Sequence, residues 1–348
     1  MKIFLSIWFR SGIGFLLLIV TFSSCREIIA ECPPQDHTIS LTEAPPGFPP
    51  IPFPEDNSFT SERWALGKRL FYDPVLSVDS SISCASCHQP NLGFSDDRTF
   101  SPGVENRPGT RNALPLINLA YHPYFLREGG LPTLEMQILV PIQEENEFAH
   151  NIVAIGEQLS EIPDYVAMSQ AAYGRDPNPF VITRALATFE RTLVSGNSPY
   201  DQWQFQGCGT ALSPAQVRGH DLFFSERVGC GHCHGGINFT GYGFENNGLY
   251  EAYEDAGRMR FTNDPADSAL FKVPTLRNIA VTAPYMHDGS LPDLRQVVQH
   301  YNSGGTNHGN KSAFVRPLGL SNEEVDDLVA FLESLTDLDF LVNAAYAP

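Results

Sequence analysis

Cys84-Ala85-Ser86-Cys87-His88 recurs downstream as Cys230-Gly231-His232-Cys233-His234, and the reading of these two pentads decides the fold. Two thiols three positions apart can each form a thioether with one vinyl group of a haem, and the histidine that follows then falls beneath the iron as its proximal ligand. A structural zinc site does not call for that adjacent histidine. His232, inside the second pentad, reads as a solvent-facing filler. The pair implies two c-type haems, one on Cys84, Cys87 and His88 and one on Cys230, Cys233 and His234.

Outward from the pentads the chain repeats itself. Gly67-Lys68-Arg69-Leu70-Phe71-Tyr72 precedes the first and Gly219-His220-Asp221-Leu222-Phe223-Phe224 precedes the second. Each half therefore presents a helix with an aromatic end, a short loop, then the haem motif. The helix before Cys230 announces its start with Ser213 as cap, Pro214 at the first position and Gln216 completing a capping box. The helix before Cys84 begins near Thr60, carries Trp64, Leu70 and Phe71, and stops at Pro74. Ile182, Leu186, Phe189 and Leu193 share a face of a further helix, and Ser321 with Glu324 caps another lined by Val325, Leu328, Val329, Leu332 and Leu335. Strand signals are sparse. The expected fold is mainly α, with two cytochrome c-like domains, 59–205 and 206–348, each wrapped around one covalently bound haem; 348 residues give room for both.

The start of the chain reads as an export signal over residues 1–25: Lys2 and Arg10 precede the apolar run Ile13 to Phe22, and Ser23-Ser24 lead to Cys25. Phe22-Ser23-Ser24-Cys25 resembles a lipobox, with Phe22 where leucine is usual; an ordinary signal peptide or a single-pass anchor are the alternatives, and all three export the chain. The expected location is the periplasm or cell envelope, lipid-anchored at Cys25. Residues 26–58 are proline-rich and read as a tether. With 42% hydrophobic and 18% charged residues the remainder suits a soluble globular protein. A net charge of −18 without a basic run excludes nucleic acid as a partner and suits a basic electron donor. Seven cysteines resolve if one is lipidated, four hold haems, and Cys32 and Cys208 either pair or stay free.

The run Cys84 to Pro90, then Phe94-Ser95-Asp96, Arg111-Asn112-Ala113, Asn118, Leu134-Glu135-Met136-Gln137, Pro141-Ile142 and Glu147 resembles the N-terminal half of bacterial dihaem cytochrome c peroxidases and MauG-type proteins. The C-terminal half is similar too, in Cys230 to Thr240, Phe271 to Asn278 and Pro284-Tyr285-Met286-His287-Asp288-Gly289. The resemblance implies that the N-terminal haem is the peroxide site and that the C-terminal haem passes electrons to it. It implies distal roles for Gln137 and Glu147, with Glu144 as the competing carboxylate. It places the sixth ligand of the C-terminal haem at Tyr301, with His300 and Met286 as rivals, and a calcium ion at Asn112, Thr282 and Pro284. One departure stands out: relatives have a tryptophan after the phenylalanine matching Phe125, but this chain reads Phe125-Leu126-Arg127.

The expected function is reduction of hydrogen peroxide to water with electrons from an external donor, a small cytochrome c or copper protein, entering at the C-terminal haem. The alternatives are a MauG-type oxidase that modifies a partner protein, and a plain electron carrier. A homodimer stays open. The loop from Gln89 to Ala120 contains neither histidine nor methionine, so it offers the N-terminal iron no strong sixth ligand; His122 or His150 would have to swing in to block it.

Overall fold

The computed structural model describes Cys32 and residues 40–348; Cys25 and the export-signal reading lie outside the described residues. The first half contains α1 (Ser61–Tyr72), α2 (Leu134–Gln137), α3 (Leu139–Gln143), α4 (Ile152–Ser160), α5 (Pro163–Tyr173) and α6 (Pro179–Arg191). After α7 (Pro199–Phe205) the second half contains α8 (Pro214–Phe223), β1 (Phe244–Glu245), α9 (Met259–Thr262), β2 (Phe271–Lys272), α10 (Leu294–Ser303) and α11 (Asn322–Glu333), and α12 (Leu338–Leu341) ends the helices. The antiparallel β1–β2 pair is the one sheet among the described residues. The fold is mainly α, with two cytochrome c-like units.

Two helix crossings organise these units. In α1, a Cβ on Gly67 would lie 1.9 Å from the carbonyl oxygen of Ala185 in α6; in α8, one on Gly219 would lie 1.9 Å from that of Asp327 in α11. Only glycine permits this approach, which explains why both copies of the sequence repeat begin with it. Leu66, Leu70 and Phe71 of α1 then bury against Leu186 and Phe189 of α6, and Phe223 of α8 against Leu328 and Phe331 of α11. The Ser213 and Ser321 capping boxes form as read, and α6 ends at Arg191, slightly before the apolar pattern does.

The repeat extends further than the sequence reading reached. Asn118 and Asn278 both adopt left-handed backbone, φ 58° and 55°, and donate their N–H groups to the carbonyls of Leu193 and Leu335. Phe125 then bridges to Leu131 as Tyr285 bridges to Leu291, and Thr133 and Asp293 cap α2 and α10. The halves diverge here, because α10 runs for ten residues whereas α2 and α3 are short. Pro141 lacks the N–H that a continuous helix would need.

Buried polar groups join the halves. Asn118 Nδ2 donates to Asn238 Oδ1 at 2.9 Å and Asn278 Nδ2 to Ser195 Oγ at 2.8 Å, while the Asp201–Arg277 ion pair is fully buried at 2.9 Å. Residues at both termini reinforce the seam. Phe340, Leu341 and Tyr346 return to the core of the first unit. The proline-rich stretch lies on the body over its described part: Phe48 packs against Tyr121 and the Arg277 guanidinium, and buried Asn57 donates to Glu135 and to the Arg184 carbonyl. Cys32 and Cys208 form a disulfide.

Gly67→Ala should destabilise the holoprotein by about 1–3 kcal/mol, the usual range for overpacking. Denaturant unfolding beside the exposed-site variant Glu62→Ala checks this; equal midpoints for the two would show that the α1–α6 crossing is not tight.

Candidate functional site

Each pentad folds as a single tight turn. His88 N–H donates to Cys84 O, and His234 N–H to Cys230 O, both at 2.9 Å, which turns the first cysteine and the histidine of each motif to one side. The histidines are then fixed from behind. His88 Nδ1 lies 2.8 Å from Phe94 O and His234 Nδ1 lies 3.0 Å from Phe239 O. A carbonyl can only accept, so Nδ1 carries the proton and the Nε2 lone pair is left to bind a metal. Burial lowers both imidazole pKa values and keeps the rings neutral.

The first pentad opens on a cavity of ≈ 560 Å³ that also meets Gln137, Glu144 and Glu147; the second opens on one of ≈ 250 Å³ that also meets Met286 and Tyr301. All four thiols are free of disulfides. Two thiols and an imidazole with its lone pair available, facing one cavity, fit a covalently attached haem. The helix crossings supply the walls: Leu186 and Glu190 of α6 line the first cavity, Leu328 and Leu332 of α11 the second.

The two cavities differ in chemistry. Glu147 lines the first and is exposed to it; desolvation by the surrounding protein, then the neighbouring Glu144 charge, raise its pKa to about 7. Its backbone is clamped, since Glu147 O accepts from Val104 N at 2.9 Å and a Cβ on Gly103 would stand 2.0 Å from Asn146 O. Sequence reasoning missed Gly103, although an isolated glycine before Val104 was a signal of close backbone approach. Glu190, where the second unit has Leu332, is pushed by burial to about 8 and one of its oxygens has no partner. This cavity therefore holds two carboxyl groups poised to keep or release a proton near neutral pH.

In the second cavity burial raises the Tyr301 hydroxyl to about 12, opposed by a hydrogen bond from Asn247. Asn247 also engages both rivals. Its Nδ2 donates to Met286 Sδ at 3.1 Å and its carbonyl lies 2.9 Å from His300 Nε2. Tyr301 and Met286 both line this cavity, and His300 does not. At the first cavity, His122 is in the wall, but both ring nitrogens are closed off by protein and have no hydrogen-bond partner; burial lowers its pKa to about 3. His150 Nδ1 accepts from Asn151 N at 2.9 Å.

Asn112, Arg127, Pro274 and Thr275 border both cavities, while Phe125 borders the first alone. The calcium triad comes together at this seam, with Asn112, Thr282 and Pro284 all against the second cavity. Two of Asn112's groups are committed: its carbonyl accepts from Arg127 Nη2 at 2.8 Å and its Nδ2 donates to Arg98 O at 2.9 Å. With Nδ2 as the donor, the Asn112 side-chain oxygen is left as an acceptor, and an amide oxygen with the backbone carbonyls of Thr282 and Pro284 is the kind of donor set that suits calcium.

A helical chain with two pentad cavities, each backed by a carbonyl-fixed histidine, is a dihaem c-type cytochrome. The chain belongs to the di-haem cytochrome c peroxidase family: the family model described as di-haem cytochrome c peroxidase matches residues 61–208, and a cytochrome c model matches residues 216–336. It carries two c-type haems. The methylamine utilization protein MauG of Methylorubrum extorquens is 40% identical over 290 residues, covering 82% of this chain and 81% of that protein. The cytochrome c551 peroxidase of Nitrosomonas europaea is 35% identical over 276 residues, covering 78% and 79%. Among solved structures, a MauG-like protein associated with microbial copper homeostasis superposes with TM-score 0.82 and 33% identity, over 86% of this chain and 96% of that one.

Tyr301→Phe should alter the low-spin part of the ferric absorption spectrum while leaving the high-spin part unchanged. An unchanged low-spin component would move the ligand to His300 or Met286.

Proposed function

We propose that this protein is a peroxidase that reduces hydrogen peroxide to two waters with two electrons and two protons, at the cavity built around Cys84, Cys87 and His88. The observation that carries this reading is the asymmetry of the two cavities, one lined by Glu147 and Glu190 with pKa values raised toward neutral pH and the other by Tyr301. The haem held by His88 supplies the iron at which peroxide binds and is cleaved. Everything else is work for the chain. His88 is held in one tautomer by Phe94 O, which keeps its Nε2 lone pair available to hold the iron. Glu147 takes a proton from one peroxide oxygen and returns it to the other as it departs, a task for which a pKa near the working pH is best. Gln137, from the end of α2, offers an amide to orient the bound oxygen.

Electrons enter at the His234 haem in this reading and cross the shared wall at Arg127, Pro274 and Thr275. The donor is a small cytochrome or copper protein, and an acidic surface of net charge −18 favours a basic one. In this reading the enzyme works in the periplasm, anchored by lipid at Cys25, which the export-signal pattern of residues 1–25 supports. A second reading, a MauG-type oxidase that withdraws electrons from a partner protein, is favoured by Tyr301, since an oxygen ligand stabilises higher iron oxidation states than a thioether does.

Steady-state peroxide turnover with a reduced small cytochrome as donor separates the two: rapid oxidation of the donor is expected, and a long-lived oxidised form without donor turnover would favour the protein-oxidising role. In the same assay kcat/KM for peroxide should rise with pH through about 7, because Glu147 accepts the peroxide proton only when ionised. Glu147→Gln should abolish that limb and slow the reaction by on the order of 10². An unchanged rate would transfer the role to Glu144.

A further inference from the structure

We propose that Lys272, a residue of the second unit, is the counter-ion of a propionate on the haem of the first cavity, so that the second unit completes the first haem's site. The inference rests on the dihaem assignment and is independent of which haem meets peroxide. In the stretch 271–273, Phe271 and Val273 line the second cavity and Lys272 lines the first, the alternation that an extended backbone imposes on its side chains. β2 is therefore part of the wall between the two sites. Both ends of Lys272 are held by the first unit: its backbone N–H donates to Arg127 O at 2.7 Å, and its Nζ donates to Tyr124 O at 3.1 Å.

A buried ammonium is ordinarily paired with a carboxylate, because an isolated charge loses more on leaving water than neutral partners return. Lys272 is only 7% exposed, yet among the described residues no carboxylate comes within ion-pair distance of its Nζ. Glu128 is the one carboxylate that acts on it, and Glu128 is held by Arg111 at 2.6 Å and approached by Arg260 at 3.8 Å. Asp255 is likewise taken by Arg111. Burial, then the like charge of Arg127, lower the Lys272 pKa to about 8, the mark of a cation short of an anion. Its ammonium spends one N–H on the neutral Tyr124 carbonyl and has no other partner among the described residues. The anion that this cavity implies is the haem itself, whose propionates are carboxylates. The two sites are unequal in this respect. Arg111, Arg127, Arg260 and Lys272 line the first cavity, whereas Arg127 is the one lysine or arginine that lines the second. Arg111 is spent on its carboxylates and Arg127 borders both cavities, which leaves Lys272 as the buried cation that belongs to the first haem alone.

The test uses the holoprotein with two haems confirmed by mass, so that a failure of the dihaem assignment shows separately. Lys272→Met keeps the length and loses the charge, and Lys272→Gln loses the charge but keeps a hydrogen-bond donor. In both, the propionate bending band of the first haem should shift in the resonance Raman spectrum. The equilibrium constant for reducing that haem should fall by on the order of tenfold, as for removal of one positive charge from a partly buried site. The second haem, whose cavity Lys272 does not line, should change by less. Lys272→Arg should keep both the band and the potential close to those of the unaltered protein. A propionate band that stays put in both neutral variants overturns the proposal, and so does an equal fall at the two haems. Should Lys272→Met fail to hold its haems, Lys272→Gln decides alone.

Discussion

The contact on which the rest of this molecule depends is backbone against backbone: Gly67 on the carbonyl of Ala185, and Gly219 on that of Asp327. Each crossing brings the end of one helix, with its aromatic residues, against the middle of another. It thereby fixes which side chains face each cavity, Leu186 and Glu190 in the first and Leu328 and Leu332 in the second. A side chain at either glycine would push α6 or α11 away and open the cavity wall. The same geometry used twice gives two equivalent scaffolds. Their chemistry differs only because the residues hung on them differ.

That difference lies within a few positions. Glu190 takes the place that Leu332 fills in the other unit, and the broken helix of α2 and α3 replaces the continuous α10. Breaking the helix delivers Glu147 on a loop, its backbone held by Val104 and Gly103. Keeping it whole delivers Tyr301 from a helix, with Asn247 beside it. One cavity is thereby lined by two carboxyl groups whose pKa values are raised toward neutral pH, and the other by Tyr301.

Much of this was legible in the chain. The two pentads announced the haems, since their spacing has a covalent reason, and the capped helices α8 and α11 started where Ser213 and Ser321 said they would. The paired glycines were visible as a repeat, but not their role, because a close approach needs both partners in space. Asn247 was invisible for the same reason: it meets Met286 39 residues away in sequence. The proline-rich stretch read as a tether because prolines exclude a helix, yet Phe48 and Asn57 within it bury against the body. The return of Phe340 and Tyr346 to the first core carried no local signal.

Access to the His88 iron is the central claim. Both ring nitrogens of His122 are closed off from the cavity, His150 is hydrogen-bonded next to α4, and the loop from Gln89 to Ala120 has no histidine or methionine. Among the described residues, His88 and His122 are the histidines that line this cavity, and no methionine does. The most direct measurement mixes the fully oxidised protein with stoichiometric peroxide in a stopped-flow spectrometer, before and after reduction by one electron. The account predicts an immediate spectral change in the oxidised protein. A change seen only after the one-electron reduction would contradict it, by showing that a ligand must first be moved away.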